Sequence, residues 1–170
     1  MHRRAFTLLE IIIAIAVVGV LAAAVAPSFF SGFNKTSLDT TGRQIVSAIR
    51  EAQSNAINEK NGGAWGIHFE NATDTAPFYA TFFGPSYSTG SIENYNRLPS
   101  SIGFMNSTLP PGASLDVTFS PLSGGANASA TIGLYVIAQP QITSMITIPA
   151  IGQVAYNQRR LHIDFLNPST

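Results

Sequence analysis

Residues 6–27, FTLLEIIIAIAVVGVLAAAVAP, decide how the rest of the chain is read. From Ile11 to Ala26 every residue is apolar or Gly, and back to Phe6 only Thr7 and Glu10 interrupt the run. At 1.5 Å per residue this is roughly 30 Å of helix, the thickness of a bilayer core. Arg3 and Arg4 precede it, which predicts a cytoplasmic start and an exported remainder. A secretory signal peptide would explain the basic start and the apolar run. It would not explain Glu10. A carboxylate inside an apolar helix is costly in lipid and implies a partner or a task.

The string Ala5-Phe6-Thr7-Leu8-Leu9-Glu10, the apolar run and Pro27 together resemble the class III signal of type IV prepilins and type II secretion pseudopilins. The resemblance covers about Met1 to Phe33. It implies a leader peptide, residues 1–5, removed by a prepilin peptidase at the Ala5–Phe6 bond, and N-methylation of Phe6. The family usually has Gly before the cut, where this chain has Ala5. Glu10 falls on the family's assembly glutamate, whose implied partner is the methylated amino terminus of a neighbouring subunit. Pro27 falls on its helix-bending proline, and a proline without an N–H bends a helix on physical grounds as well. Residues 6–29 are then the transmembrane and filament-core helix.

Beyond Pro27 the pattern becomes amphipathic. Leu38, Ile45, Ile49, Ala52 and Ala56 recur at spacings that make one apolar stripe, with Arg43, Arg50, Glu51 and Glu59 mostly off it. This predicts a continuation of the helix through residues 30–62, stopped at Asn61-Gly62-Gly63 and packed on a sheet. Residues 63–170 read as a β-rich exported domain. Trp65, Ile67 and Phe69 alternate with Gly66, His68 and Glu70, and Phe78–Phe83 is a second run. The segment from Pro85 to Asn96 reads as a polar loop. Ile102–Met105, Ser114–Phe119 and Thr131–Ala138 are further candidate strands. Met145–Ile148 and Gly152–Tyr156 suggest a hairpin around Pro149, and Arg160–Phe165 alternates again. The expected fold class is α+β: a long N-terminal helix, half transmembrane and half amphipathic, on an antiparallel sheet or small sandwich, the pilin fold.

The stretch from Ile45 to Ile57, Val117-Thr118-Phe119-Ser120-Pro121, and Ile146-Thr147-Ile148 before Gly152-Gln153-Val154 are similar to the FimT/GspH class of minor pilins and pseudopilins. That class usually has Gly-Arg-Val at the last point, where this chain has Gln153. Its DNA-binding members use a Gly-Arg-X-Arg arrangement there. Arg159 and Arg160 follow shortly after as a weak substitute, and on an alternating strand they point to opposite faces.

Composition narrows the chemistry. Charged residues are 11% and cysteines are absent, which excludes disulfides and thiolate metal sites. Formal net charge is zero. Without the leader seven Lys/Arg stand against nine Asp/Glu, a balance of about −2, which makes nucleic acid an unlikely partner. No P-loop, HExxH or GxSxG is present. His68 reads as a surface or internally satisfied residue. His162 and Asp164 share a strand face, but two groups do not make a metal site. Asn34, Asn71, Asn106 and Asn127 begin Asn-X-Ser/Thr triplets, at a frequency that chance explains in so Ser/Thr-rich a chain. Alternating members of Phe78, Tyr79, Phe82 and Phe83 read as core, and Tyr87 and Tyr95 as the better candidates for exposed contacts.

These features predict a non-enzymatic filament subunit with no catalytic residue, metal, cofactor or small-molecule substrate. Its expected partners are like subunits, the prepilin peptidase and an inner-membrane assembly platform. Its expected place is the inner membrane, single-pass with a cytoplasmic N-terminus before processing, then a periplasmic or cell-surface filament. A DNA-receptor minor pilin and a membrane-tethered hydrolase are the competing readings. The first would need a cationic patch, the second an acid–base constellation.

Overall fold

A computed structural model describes residues 8–151 and 154–160, with side chains for 8–22, 34–151 and 154–157. The chain divides into two compact units, Met1–Asn34 and Lys35–Thr170.

A 50-residue helix, α1 (Leu8–Ile57), opens the described chain. Over residues 8–22 its side chains are exposed, and every residue there except Glu10 is apolar or Gly: Leu8 is 79% exposed and Ile13 54%. Such a helix has no polar face to give to water and needs either lipid or like helices around it. Among the described residues, no helix is long and apolar enough to cross a membrane. Ala5 and Phe6 lie outside the described residues. Pro27 lies within α1.

In the second unit the stripe read from the sequence is the buried face. Leu38, Ile45, Ile49, Ala52 and Ala56 are all buried, joined by Val46 and Thr41, while Arg43, Arg50 and Glu51 are exposed. The helix ends at Ile57, earlier than the Asn61-Gly62-Gly63 stop read from the sequence. Glu59 takes a left-handed conformation (φ 49°) and donates its N–H to Ala56 O, so the chain leaves the helical path before the glycines. A 3-10 turn at Lys60–Gly62 follows. The loop at Ser120–Gly125 then closes the helix end: Leu122 N–H donates to Ala56 O and the Gln53 amide to Gly124 O. The first bond gives the Ala56 carbonyl, at the helix end, a second donor beside the Glu59 N–H, and the second ties a helix side chain to the loop.

The rest is β-structure. Strands β1 (Trp65–Glu70), β2 (Phe78–Phe83), β3 (Ser91–Arg97), β4 (Ile102–Phe104), β5 (Ser114–Phe119), β6 (Ala130–Val136), β7 (Gln139–Ile148) and β8 (Ala155–Arg160) form two antiparallel four-stranded sheets. Sheet A has the order β3-β2-β1-β5 and sheet B the order β4-β6-β7-β8. Buried residues of the helix and of both sheets form one core, in which Phe69 of sheet A meets Phe104 of sheet B edge-on at 6.1 Å.

Two sequence expectations change here. The segment Pro85–Asn96 is not all loop: Ser91–Arg97 is β3, paired antiparallel with β2. Every β3 residue is exposed, so the strand shows no hydrophobic alternation to read. The hairpin around Pro149 is real but longer than its apolar segments, with β7 beginning at Gln139 and β8 reaching Arg160. The remainder of the Arg160–Phe165 strand lies outside the described residues.

Candidate functional site

The assembly segment is built by the first turns of α1. Glu10 is the acidic residue of the first described turn. Its neighbours Leu8, Leu9, Ile11, Ile12 and Ile13 are exposed apolar residues. Glu10 is therefore a carboxylate set in a continuous apolar surface. It lies four residues after Phe6, where the sequence reading places a new amino terminus.

The other candidates scatter. Arg159 and Arg160 are the last residues of β8, opposite Thr143 and Ile142 in the ladder. His162 and Asp164 lie outside the described residues. Among the Asn-X-Ser/Thr triplets, Asn71 is buried and donates its amide to Leu109 O at 2.8 Å, while Asn106 and Asn127 are exposed. A cavity of about 320 Å³ opens between Pro77, Leu98, Pro99, Tyr135 and Ile137, and no charged side chain is among its lining residues. It therefore offers no acid–base pair. Among the described residues no group of three or more His, Cys, Asp or Glu side chains could hold a metal ion.

The sequence reading missed one cluster. Residues directly opposite in a sheet share a face, so His68, Asp116, Ala80 and Tyr95 stand in a row across sheet A, on the face turned from the main core. Glu70, Phe78 and Arg97 form the next row. His68 is only 4% exposed. Its Nδ1 lies 2.5 Å from Asp116 Oδ1 and its Nε2 3.2 Å from Glu70 Oε2. Tyr87, from the β2–β3 connection, stacks on the imidazole with centroids 3.8 Å apart and planes 7° from parallel. Asp116 Oδ2 accepts the Tyr87 backbone N–H at 3.0 Å. Asp116 therefore ties β1 to the connection. Burial, then the charges of Glu70 and Asp116 and the nearby Tyr95, hold the Tyr87 phenol above its ordinary pKa. The satisfied reading of His68 is the one the geometry supports. No local signal could have found this cluster, because His68 and Asp116 are 48 positions apart.

The described architecture is that of an α+β chain led by an apolar helix with one carboxylate near its start. Residues 1–26 match the Prokaryotic N-terminal methylation motif, which supports a type IV pilin-like protein. That motif belongs to structural rather than enzymatic proteins. It implies processing by prepilin peptidase, assembly with other pilin subunits, and a membrane-anchored protein that later lies in the periplasm or at the surface. No curated protein and no solved structure matches the chain.

Proposed function

We propose that this chain is a structural subunit, and a minor one of the FimT/GspH kind, of a type IV pilus-like or type II secretion pseudopilus filament. The observation that carries this reading is the methylation motif at residues 1–26 on a helix whose residues 8–22 are apolar or Gly apart from Glu10 and whose second part is amphipathic. The first part suits lipid before assembly and a bundle of like helices after it. The second part is continuous with the core of the β-domain, so the domain travels wherever the helix is placed.

In this reading residues 6–29 span the inner membrane, and an inner-membrane platform lifts the subunit into the filament. Prepilin peptidase cuts Ala5–Phe6 and methylates Phe6. Glu10 then meets the new amino terminus of a neighbouring subunit. A carboxylate in an apolar bundle is stabilised by a cation brought beside it, so the pair favours correct register. Pro27 bends the helix between its two parts.

The test is intact-mass spectrometry of the protein from filaments of the native host. The expected mass lacks Met1 to Ala5 and carries one added methyl on Phe6. Full-length protein in assembled filaments would refute the processing step and with it the filament role.

A further inference from the structure

The outer face of sheet A carries two tyrosines whose rings are fixed from behind. Tyr95, 46% exposed, lies against Phe78 with centroids 4.5 Å apart, and the Arg97 guanidinium sits 5.9 Å from its ring. The Tyr87 ring centroid lies 6.4 Å from that of Phe78, and the ring is stacked on His68. The segment that carries Tyr87 is pinched at its neck. Gly84, at φ 130°, and Gly90 approach so closely that a Cβ on Gly84 would stand 2.9 Å from the Gly90 Cα. A Cβ on Gly90 would meet the carbonyl oxygens of Phe83 and Ser86 at 2.6 and 2.7 Å. Only glycine fits both places. A buried imidazole between two carboxylates is an expensive support for a surface connection. Here it fixes the position and tilt of one aromatic ring.

We propose that this face is a binding site for a neutral oligosaccharide, with Tyr87 and Tyr95 as the stacking platforms. A pyranose has a flat face of C–H groups and an edge of hydroxyls, and each hydroxyl both donates and accepts. Rigid aromatic rings match the first at small entropic cost. The polar groups beside them match the second. Glu70 accepts, Arg97 donates, and Ser88 and Thr89 do both. Groups of both signs lie at the rim, so neither a polyanion nor a polycation finds a complementary field. A nucleic acid would use the same rings but needs cations for its phosphates, and here Arg97 shares the face with the carboxylates of Glu70 and Asp116, two and three strands away in the sheet. His68 and Asp116 are positioning residues. They touch Tyr87 and act through it. The site lies on the β-domain and does not depend on filament assembly, so it stands or falls separately from the role proposed above.

The test uses the full-length chain in a zwitterionic detergent without a sugar headgroup. Neutral tetrasaccharides of glucose, galactose and N-acetylglucosamine are titrated, with a sulfated tetrasaccharide as the anionic probe. Saturation-transfer NMR reads the contact and ligand titration reads the affinity. At least one neutral probe is expected to bind saturably. Tyr95→Ala and Tyr87→Ala should each weaken it about tenfold, the upper end of a stacking contribution, while Tyr95→Phe binds like the wild type. His68→Gln should weaken binding and also speed amide hydrogen exchange at Tyr87 and Ser88, which a purely structural loss elsewhere would not do selectively. Absence of saturable binding by all three neutral probes up to about 10 mM overturns the proposal. So does binding that survives both Tyr→Ala changes, or preference for the sulfated probe.

Discussion

Truncating Ile49 tests whether the second part of α1 is a core element of the β-domain or an appendage lying on it. Ile49 is 0% exposed. Ile49→Ala removes three carbons, worth about 2.4 kcal/mol at about 0.8 kcal/mol each. Ile49 belongs to a core cluster that includes residues of both sheets, and a packed core collapses incompletely, so a cavity penalty raises the loss to about 3–4 kcal/mol, within the usual range for such changes. For a domain of this size that is a fall in Tm of roughly 10–15 °C. Trp65, the single tryptophan, is 2% exposed, so its fluorescence reports unfolding of the β-domain. The measurement is thermal unfolding of the full-length chain in detergent. The control is Ile13→Ala on the same helix, where Ile13 is 54% exposed in the first unit and Tm should stay within about 1 °C. A fall of less than about 4 °C for Ile49→Ala, or an equal fall for Ile13→Ala, would refute the assignment of the stripe to the core.

Three further outcomes follow from particular residues. Glu10→Ala should leave membrane insertion intact or improved, because it removes a polar group from an apolar helix, yet lower recovery in sheared filaments; wild-type incorporation would count against the pairing role. The Tyr87 phenol, held above its ordinary value chiefly by burial, keeps its proton in the folded state at a pH where the unfolded chain loses it. Its contribution to stability is complete below about pH 10 and is lost as pH rises through the raised value. The difference in tyrosinate absorbance between wild type and Tyr87→Phe should have its midpoint above about 10, and a midpoint at or below that would contradict the burial. DNA binding should be no tighter than about 10 μM at roughly 150 mM salt, since Arg159 and Arg160 are two cations on a weakly acidic chain. Tight duplex binding abolished by Arg159→Ala/Arg160→Ala would make DNA capture the leading function.

Much of this protein was legible because its elements bury one side. The helical stripe through Ile45, Ile49, Ala52 and Ala56 announces itself at a period of 3.6, and all four residues are buried. Trp65, Ile67 and Phe69 announce β1 at a period of two, and all three lie in the core. The motif at residues 1–26 is legible for another reason. It is read by a processing enzyme as a linear string, so its information is in residue types and spacing, before any folding.

What the sequence by itself determined is therefore the class of the chain: an apolar helix carrying the methylation motif, continued into an α+β domain. Tertiary structure decided where the contact surface lies. β3 pairs with β2 through backbone groups that every residue type carries, and its seven exposed side chains leave no period to read. Phe78 and Phe82 are buried on the face of β2 turned from the main core, where Tyr87 meets both rings. His68 reads locally as a polar-face residue. It becomes a buried anchor only when Asp116 is brought beside it in the sheet and Tyr87 is laid over both. Periodicity reports burial along one element. Contacts between residues far apart in the chain have no period, and those contacts build this face.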